Sequence, residues 1–111
     1  ADEALAGGLL RSVHAPDALL DTAREIAREI AENTAAVSVS LTRQMLWRGL
    51  GMSHPMEAHR IDSRAVYARG RSADAGEGVT SFLEKRAPIY PDKVSQDMPG
   101  FYPWWEEPAW R

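Results

Sequence analysis

The chain has 111 residues, of which 44% are hydrophobic and 26% charged, a mixture typical of one soluble globular domain and not of a disordered or fibrous protein. Its formal net charge of -3 excludes the overall positive field with which proteins attract nucleic acids or anionic membranes, so we expect neither as a partner. Cysteine is absent, which excludes disulfides, thiolate zinc sites and cysteine nucleophiles and favours a cytoplasmic location.

The N-terminal part of the chain predicts a short helix followed by a long amphipathic one. Helix-forming residues run from Asp2 to Ala6 and stop at a glycine pair. Residues 9–13 alternate weakly between apolar and polar and indicate at most a brief extended segment. Pro16 suits the first position of a helix, where its missing N–H costs nothing. Between Pro16 and Asn33, apolar residues recur at steps of three and four, as they do along one face of a helix.

A second long helix is predicted in the middle of the chain. The β-branched and hydroxyl-bearing residues 37–40 suggest a strand when they are read alone. Val37, Leu41 and Met45, however, repeat at four-residue spacing until Gly49, which favours a helix over the whole segment.

Capping signals predict the starts of two more helices. Ser53 or His54 can cap the third long helix, with Pro55 in its first turn. Ser72 or Asp74 can cap the fourth in the same way.

The fourth of these helices has an apolar face formed by Val79, Phe82 and Leu83, and we expect it to end before Pro88. Prolines interrupt residues 89–111, a segment rich in tryptophan and tyrosine. It therefore cannot be helical throughout, and we expect it to lie across another surface of the protein.

Candidate ligands for a metal ion are weak. His54 and His59 are five residues apart and diverge on a helix, unlike the four-residue spacing of a helical zinc motif, and His14 is distant in sequence. We expect no metal site. The sequence also contains no Ser/His/Asp arrangement for nucleophilic catalysis and no phosphate-binding glycine loop. The residues alone therefore indicate no active site.

Arginines are denser between residues 60 and 71 than elsewhere, at Arg60, Arg64, Arg69 and Arg71. This cluster can hold a phosphate group or pair with a neighbouring acidic chain, and the sequence favours neither. The tryptophans of the tail lie beside two glutamates, which disfavours nucleic-acid binding and favours packing.

The order of these features resembles the C-terminal segment of the crotonase superfamily, the enoyl-CoA hydratases and isomerases. Residues 2–10, DEALAGGLL, resemble the family's A-E-A-L-x-x-G-L-V segment, and residues 26–38 resemble its following helix and turn, with Ala36 where proline is common. Residues 74–86, DAGEGVTSFLEKR, are similar to the closing D-x-x-E-G-x-x-A-F-x-E-K-R-x-P-x-F signature, and Tyr90 takes the place of its final aromatic residue.

The resemblance implies an all-α chain: a C-terminal helical segment of a crotonase-like protein, with about four helices, a short leading helix and an irregular aromatic tail. In this family the thioester oxygen of acyl-CoA is held by two backbone N–H groups, and glutamates transfer protons. Those groups belong to a ββα-spiral core that precedes the segment matching Ala1, so we expect no catalytic residue here. Oxyanion stabilisation contributes ~3–4 kcal/mol per donor, and a chain without it should be close to inert.

The resemblance also implies partners and a binding site. The family's C-terminal helices assemble subunits into trimers, often paired into hexamers, and help to close the acyl-CoA site. Carried over to this sequence, Phe82 would face the adenine or pantetheine part of CoA, and Lys85 would approach its phosphates. No cofactor is implied, since acyl-CoA is the substrate. The parent reaction implied is hydration of a 2-enoyl-CoA, with isomerisation open.

Three regions follow from this resemblance. Residues 1–15 would be a remnant of the connection from the core, residues 16–88 the helical oligomerisation region, and residues 89–111 the tail. The resemblance covers about residues 1–92, so the tryptophan-rich part of the tail lies outside it. The chain begins with Ala1 rather than methionine, so we expect a processed or truncated chain. The alternative is a stand-alone helical module that binds another protein without catalysis.

Overall fold

A computed structural model describes residues 1–110, and within that range it contains five α-helices and no strand. They are α1 (Asp2–Ala6), α2 (Pro16–Asn33), α3 (Ala36–Gly49), α4 (Pro55–Gly70) and α5 (Ala73–Glu84). The all-α prediction is confirmed. Between residues 1 and 110, none of the helices combines the length and the apolar character that a bilayer crossing requires.

The chain divides into two compact units, and the first is Ala1–Glu32. Here Gly7 caps the C-terminal end of α1, and Gly8 has a φ of 75°, a conformation that glycine adopts without strain. The predicted extended segment at residues 9–13 forms no strand, because a single short stretch has no partner to pair with. The apolar stripe of α2 is present but largely exposed, with Leu20 63% accessible.

The second unit begins at Asn33, and its core lies where α3 packs against α4. Val37 and Leu41 of α3 are 0% and 1% exposed, and Ala65 of α4 is 4% exposed. Residues four apart lie above one another on a helix, so Val37 and Leu41 form one buried stripe. This confirms the helical interpretation of residues 37–40 over the strand.

Local capping fixes where α4 and α5 begin. The imidazole Nδ1 of His54 accepts a hydrogen bond from the Met56 N–H at 3.0 Å, with Pro55 as the first helical residue. The hydroxyl of Ser72 accepts from the Ala75 N–H at 3.2 Å and so caps α5. Of the alternatives that the sequence allowed, His54 and Ser72 are the caps.

The aromatic tail completes the core of this unit. Four of its side chains pack, partly buried, against the cluster of α3 and α4: Met98, Phe101, Tyr102 and Trp104. The rings of Trp104 and Trp105 meet edge to face, with centroids 5.0 Å apart. For the described residues of the tail, up to residue 110, the prediction that it cannot be helical throughout and lies across another surface is confirmed.

Two arginines of the helices hold the tail in place. The Arg64 guanidinium of α4 lies 4.6 Å from the Phe101 ring centroid, and that of Arg48 in α3 lies 4.1 Å from the Trp105 centroid. Arg48 also pairs with Glu107 at 2.7 Å. The Trp105 indole N–H and the Arg48 guanidinium, both hydrogen-bonded to Glu107, hold the pKa of that carboxyl below its usual range.

Removing a tail aromatic should destabilise the chain. We expect Trp104→Ala to lower the free energy of unfolding by about 3 kcal/mol, because a large side chain packed on the core is lost and a cavity remains. The measurement is urea denaturation followed by far-ultraviolet circular dichroism. Trp110→Ala is the matched control, since Trp110 is fully exposed and its loss should change nothing. Equal effects of the two substitutions would show that the tail does not stabilise the core.

Candidate functional site

The two residues that the family resemblance assigns to CoA binding lie together at the C-terminal end of α5. The Lys85 ammonium is 4.4 Å from the centroid of the Phe82 ring, a cation–π contact. Phe82 is 70% exposed, and Lys85 is exposed as well. The pair therefore presents an aromatic face and a positive charge to the surroundings from one turn of the chain.

Lys85 has a left-handed backbone, with φ 57° and ψ 38°, and is the only non-glycine residue with positive φ between residues 1 and 110. Its N–H donates to the Phe82 carbonyl at 3.3 Å, and the Arg86 N–H donates to the Ser81 carbonyl at 3.1 Å. These two bonds are those of a Schellman motif, which ends a helix and usually places glycine where Lys85 stands.

The predicted apolar face of α5 is exposed. Val79 and Leu83 are 63% and 71% accessible, and the buried residues of this helix are Asp74 and Ser81. Tyr90 lies over the opposite side of α5, where its ring would be 3.8 Å from a side-chain carbon at Gly78. The polar side of α5 thus faces the rest of this unit, and the apolar side has no cover from the described part of the chain.

A bidentate ion pair closes the turn that carries Lys85. The Glu77 carboxylate accepts from the Arg86 guanidinium at 2.6 and 2.9 Å, and also from the Ile89 N–H at 2.7 Å. Arg86 first, and then the Ile89 N–H, lower the pKa of Glu77 from 4.5 to about 2. Glu77 and Glu84 in turn raise the pKa of Arg86.

The arginine cluster does not form one site. Arg69 is 14% exposed and pairs with Asp74 at 2.8 Å and Asp92 at 2.6 Å. Arg64 stacks on the tail, and Arg71 lies 5.5 Å from the centroid of the Tyr67 ring. Of the two roles that the sequence allowed, Arg69 adopts acidic pairing, with carboxylates of its own chain in place of those of a neighbouring chain.

Two of the three histidines considered as metal ligands make other contacts. His54 caps α4, and His14 hydrogen-bonds the Ser12 hydroxyl at 2.6 Å. His59 lies exposed within α4. Between residues 1 and 110, no three histidine or carboxylate side chains are grouped so that they could share a metal ion.

An open groove of about 460 Å³ runs along α3, lined partly by Ser38, Thr42, Leu46 and Trp47. The charged group in its wall is Arg43, whose guanidinium stacks on Trp47 at 5.2 Å from the ring centroid. A shallow apolar groove without carboxylates or histidines offers no catalytic chemistry, so the end of α5 remains the better candidate site.

Sequence reasoning missed the two ion-pair groups that shape this site. Glu77 and Arg86 are nine residues apart, and Arg69 and Asp92 are 23 apart, so helical spacing rules do not identify either pair. The family signature contains Glu77 and Arg86 and was the one signal in the sequence that marked both.

We expect Arg69→Met to lower the free energy of unfolding by ~3–5 kcal/mol, because it leaves the buried Asp74 and the partly buried Asp92 beside each other without a counter-charge. Arg60→Met in the same helix is the control: Arg60 is exposed, and its loss should cost less than ~0.5 kcal/mol. Both values come from urea denaturation. A small effect at Arg69 would mean that the two carboxylates do not depend on it.

The depressed pKa of Glu77 predicts a pH dependence of stability. Because its pKa is lower in the folded chain, the Glu77 to Arg86 pair should stabilise the fold fully above about pH 4.5 and lose that contribution as the pH falls to about 2. The urea midpoints of the wild type and Glu77→Gln should differ at neutral pH and converge in this window. A constant difference at every pH would contradict the prediction.

The sequence is similar to a known protein family and to several of its members. The family model for enoyl-CoA hydratase/isomerase matches residues 1–93. An enoyl-CoA hydratase of Alternaria alternata is 41% identical over 97 residues, which cover 86% of this chain and 32% of that protein.

Two bacterial proteins are similar to the chain at comparable levels. A short-chain-enoyl-CoA hydratase of Clostridium acetobutylicum is 38% identical over 86 residues, covering 78% of this chain and 32% of its own length. An (E)-benzylidenesuccinyl-CoA hydratase of Thauera aromatica is 38% identical over 91 residues, covering 81% and 34%. The chain spans about a third of the length of these curated relatives. By the family match over most of its residues, this chain belongs to the enoyl-CoA hydratase/isomerase family.

Proposed function

We propose that the chain is the C-terminal helical part of a crotonase-like enzyme, in which it assembles subunits and closes the acyl-CoA site. The parent reaction we propose is the addition of water across the double bond of a 2-enoyl-CoA, as in fatty acid metabolism, in the cytoplasm. The observation that carries the proposal is the exposed pair of Phe82 and Lys85 at the end of α5, within the part of the chain that matches the family.

The chemistry of this pair supports a CoA-binding role. An ammonium on a flexible stem is a good partner for a phosphate, and an exposed aromatic ring can pack against adenine or the pantetheine arm. Lys85 takes part in no ion pair among the described residues, whereas Arg69 and Arg86 are each bonded to two carboxylates. The Lys85 ammonium is therefore available to bind a ligand.

The exposed apolar side chains support the proposed assembly role. They lie on α3, α4 and α5 or just after α3 and α5: Leu46, Trp47, Leu50, Val66, Tyr67, Val79, Leu83 and Ile89. Apolar surface of this extent in a soluble enzyme is expected to be covered by other protein. In the proposed enzyme, that protein is the remainder of the subunit and its copies in a homotrimer or a hexamer.

The test is made on the protein as it is encoded, including whatever precedes Ala1. We expect it to hydrate crotonyl-CoA, with loss of the ultraviolet absorbance of the conjugated thioester, and the 111-residue chain alone to be inactive. Turnover by the 111-residue chain alone would contradict the proposal. So would the absence of hydratase or isomerase activity on 2-enoyl-CoA substrates in the encoded protein.

The proposed phosphate contact is tested by Lys85→Ala. We expect the KM for crotonyl-CoA to rise about tenfold, equivalent to ~1.4 kcal/mol, and the KM for the crotonyl thioester of N-acetylcysteamine, which has no phosphates, to stay unchanged. Lys93, the chain's only other lysine, is also exposed, and Lys93→Ala is the matched control that should change neither value. Equal loss for both substrates would remove Lys85 from the phosphate site.

A further inference from the structure

The conformation of Lys85 is costly for the residue that stands there. A non-glycine residue with a φ of 57° is disfavoured, because its side-chain carbon crowds the backbone. Such a conformation persists only where the surrounding structure enforces it, and strained residues concentrate at functional positions. At Lys85, the contacts of the chain that follows it enforce the left-handed conformation.

Two points of the chain that follow Lys85 are bound to one carboxylate. Glu77, in the middle of α5, accepts from the Arg86 side chain directly after Lys85 and from the Ile89 N–H three residues further on. The Arg86 guanidinium also donates to the Ala87 carbonyl at 3.1 Å and to Glu84 at 2.6 Å. The chain directly after Lys85 is thus held at Arg86, Ala87 and Ile89.

We infer that Glu77 and Arg86 are positioning residues, which fix the left-handed turn so that Lys85 presents its ammonium beside Phe82 to the phosphates of the ligand. This inference rests on the proposed function, because it assumes that Lys85 meets CoA. Arg86 itself is neutralised by its two carboxylates, so an anion meets Lys85 and not Arg86. A cation that is already in place loses less freedom on binding than one on a mobile turn.

The variants to compare in the encoded protein are Glu77→Gln and Glu84→Gln. Both remove a carboxylate that contacts Arg86, but only Glu77 also binds the Ile89 N–H and bridges the turn. We expect Glu77→Gln to raise the KM for crotonyl-CoA about fivefold with kcat unchanged, and to leave the N-acetylcysteamine thioester unaffected. Glu84→Gln should change none of these values.

Arg86→Lys provides a second variant if Glu77→Gln folds poorly. It keeps the charge but loses the two-pronged contact with Glu77, and it should raise the same KM in the same way. The double variant Glu77→Gln with Lys85→Ala should bind crotonyl-CoA no more weakly than Lys85→Ala alone, because Glu77 and Arg86 act on the ligand only through Lys85.

The outcomes separate the two proposals. If Lys85→Ala raises the KM and Glu77→Gln does not, the positioning role is wrong and the proposed CoA contact stands. If Glu77→Gln impairs both thioesters equally, its role is general stability and the inference is also wrong. If Lys85→Ala changes nothing, the CoA contact itself is wrong, and the inference falls with it.

Discussion

The ion pairs of Arg69 are the interaction on which the arrangement of the second unit depends. α5 buries Asp74 and Ser81 and leaves its apolar side exposed, so apolar packing does not hold it in place. Arg69, near the end of α4, binds Asp74 at the start of α5 and Asp92 in the segment that returns after it. The Asp92 N–H also donates to the second oxygen of Asp74 at 3.0 Å. One guanidinium therefore joins three parts of the chain, and the turn at Lys85 lies between two of them.

The helices were predictable because their signals are local. Four-residue spacing predicts the helices, and Pro16, Pro55 and the capping residues mark where α2, α4 and α5 begin. All of these signals depend on neighbours in sequence. The contacts of Asp74 could not be predicted from local sequence signals. By spacing it is as good a cap as Ser72, but its carboxylate is used by Arg69, and that contact follows from the fold and not from a spacing rule.

The candidate site was predictable only through the family resemblance. Composition and periodicity place Phe82 on an apolar face and Lys85 near a helix end, which describes ordinary packing and an ordinary solvated cation equally well. Neither the left-handed backbone of Lys85 nor the contacts of Glu77 with Arg86 and Ile89 follow from such rules, because they depend on how the chain turns back over α5. The tail is a similar case. Its aromatic residues predict packing, but not that Arg48 and Arg64 are its partners.

The strained backbone of Lys85 is explained by the role proposed for its side chain. If the only requirement were to end α5, glycine would serve better at this position, since it adopts a positive φ without strain. Lysine at this position gives up some stability and gains an ammonium on the exposed side of the turn, in contact with Phe82. The clamp formed by Glu77 and Arg86 offsets that loss through charge-assisted hydrogen bonds that join the helix before the strained residue to the chain after it. Lys85 and Arg86 are therefore neighbouring cations with different surroundings. The Arg86 guanidinium is bound to carboxylates and, with Glu77, holds the turn, whereas the Lys85 ammonium has no carboxylate partner among the described residues and, in the proposed function, meets the ligand.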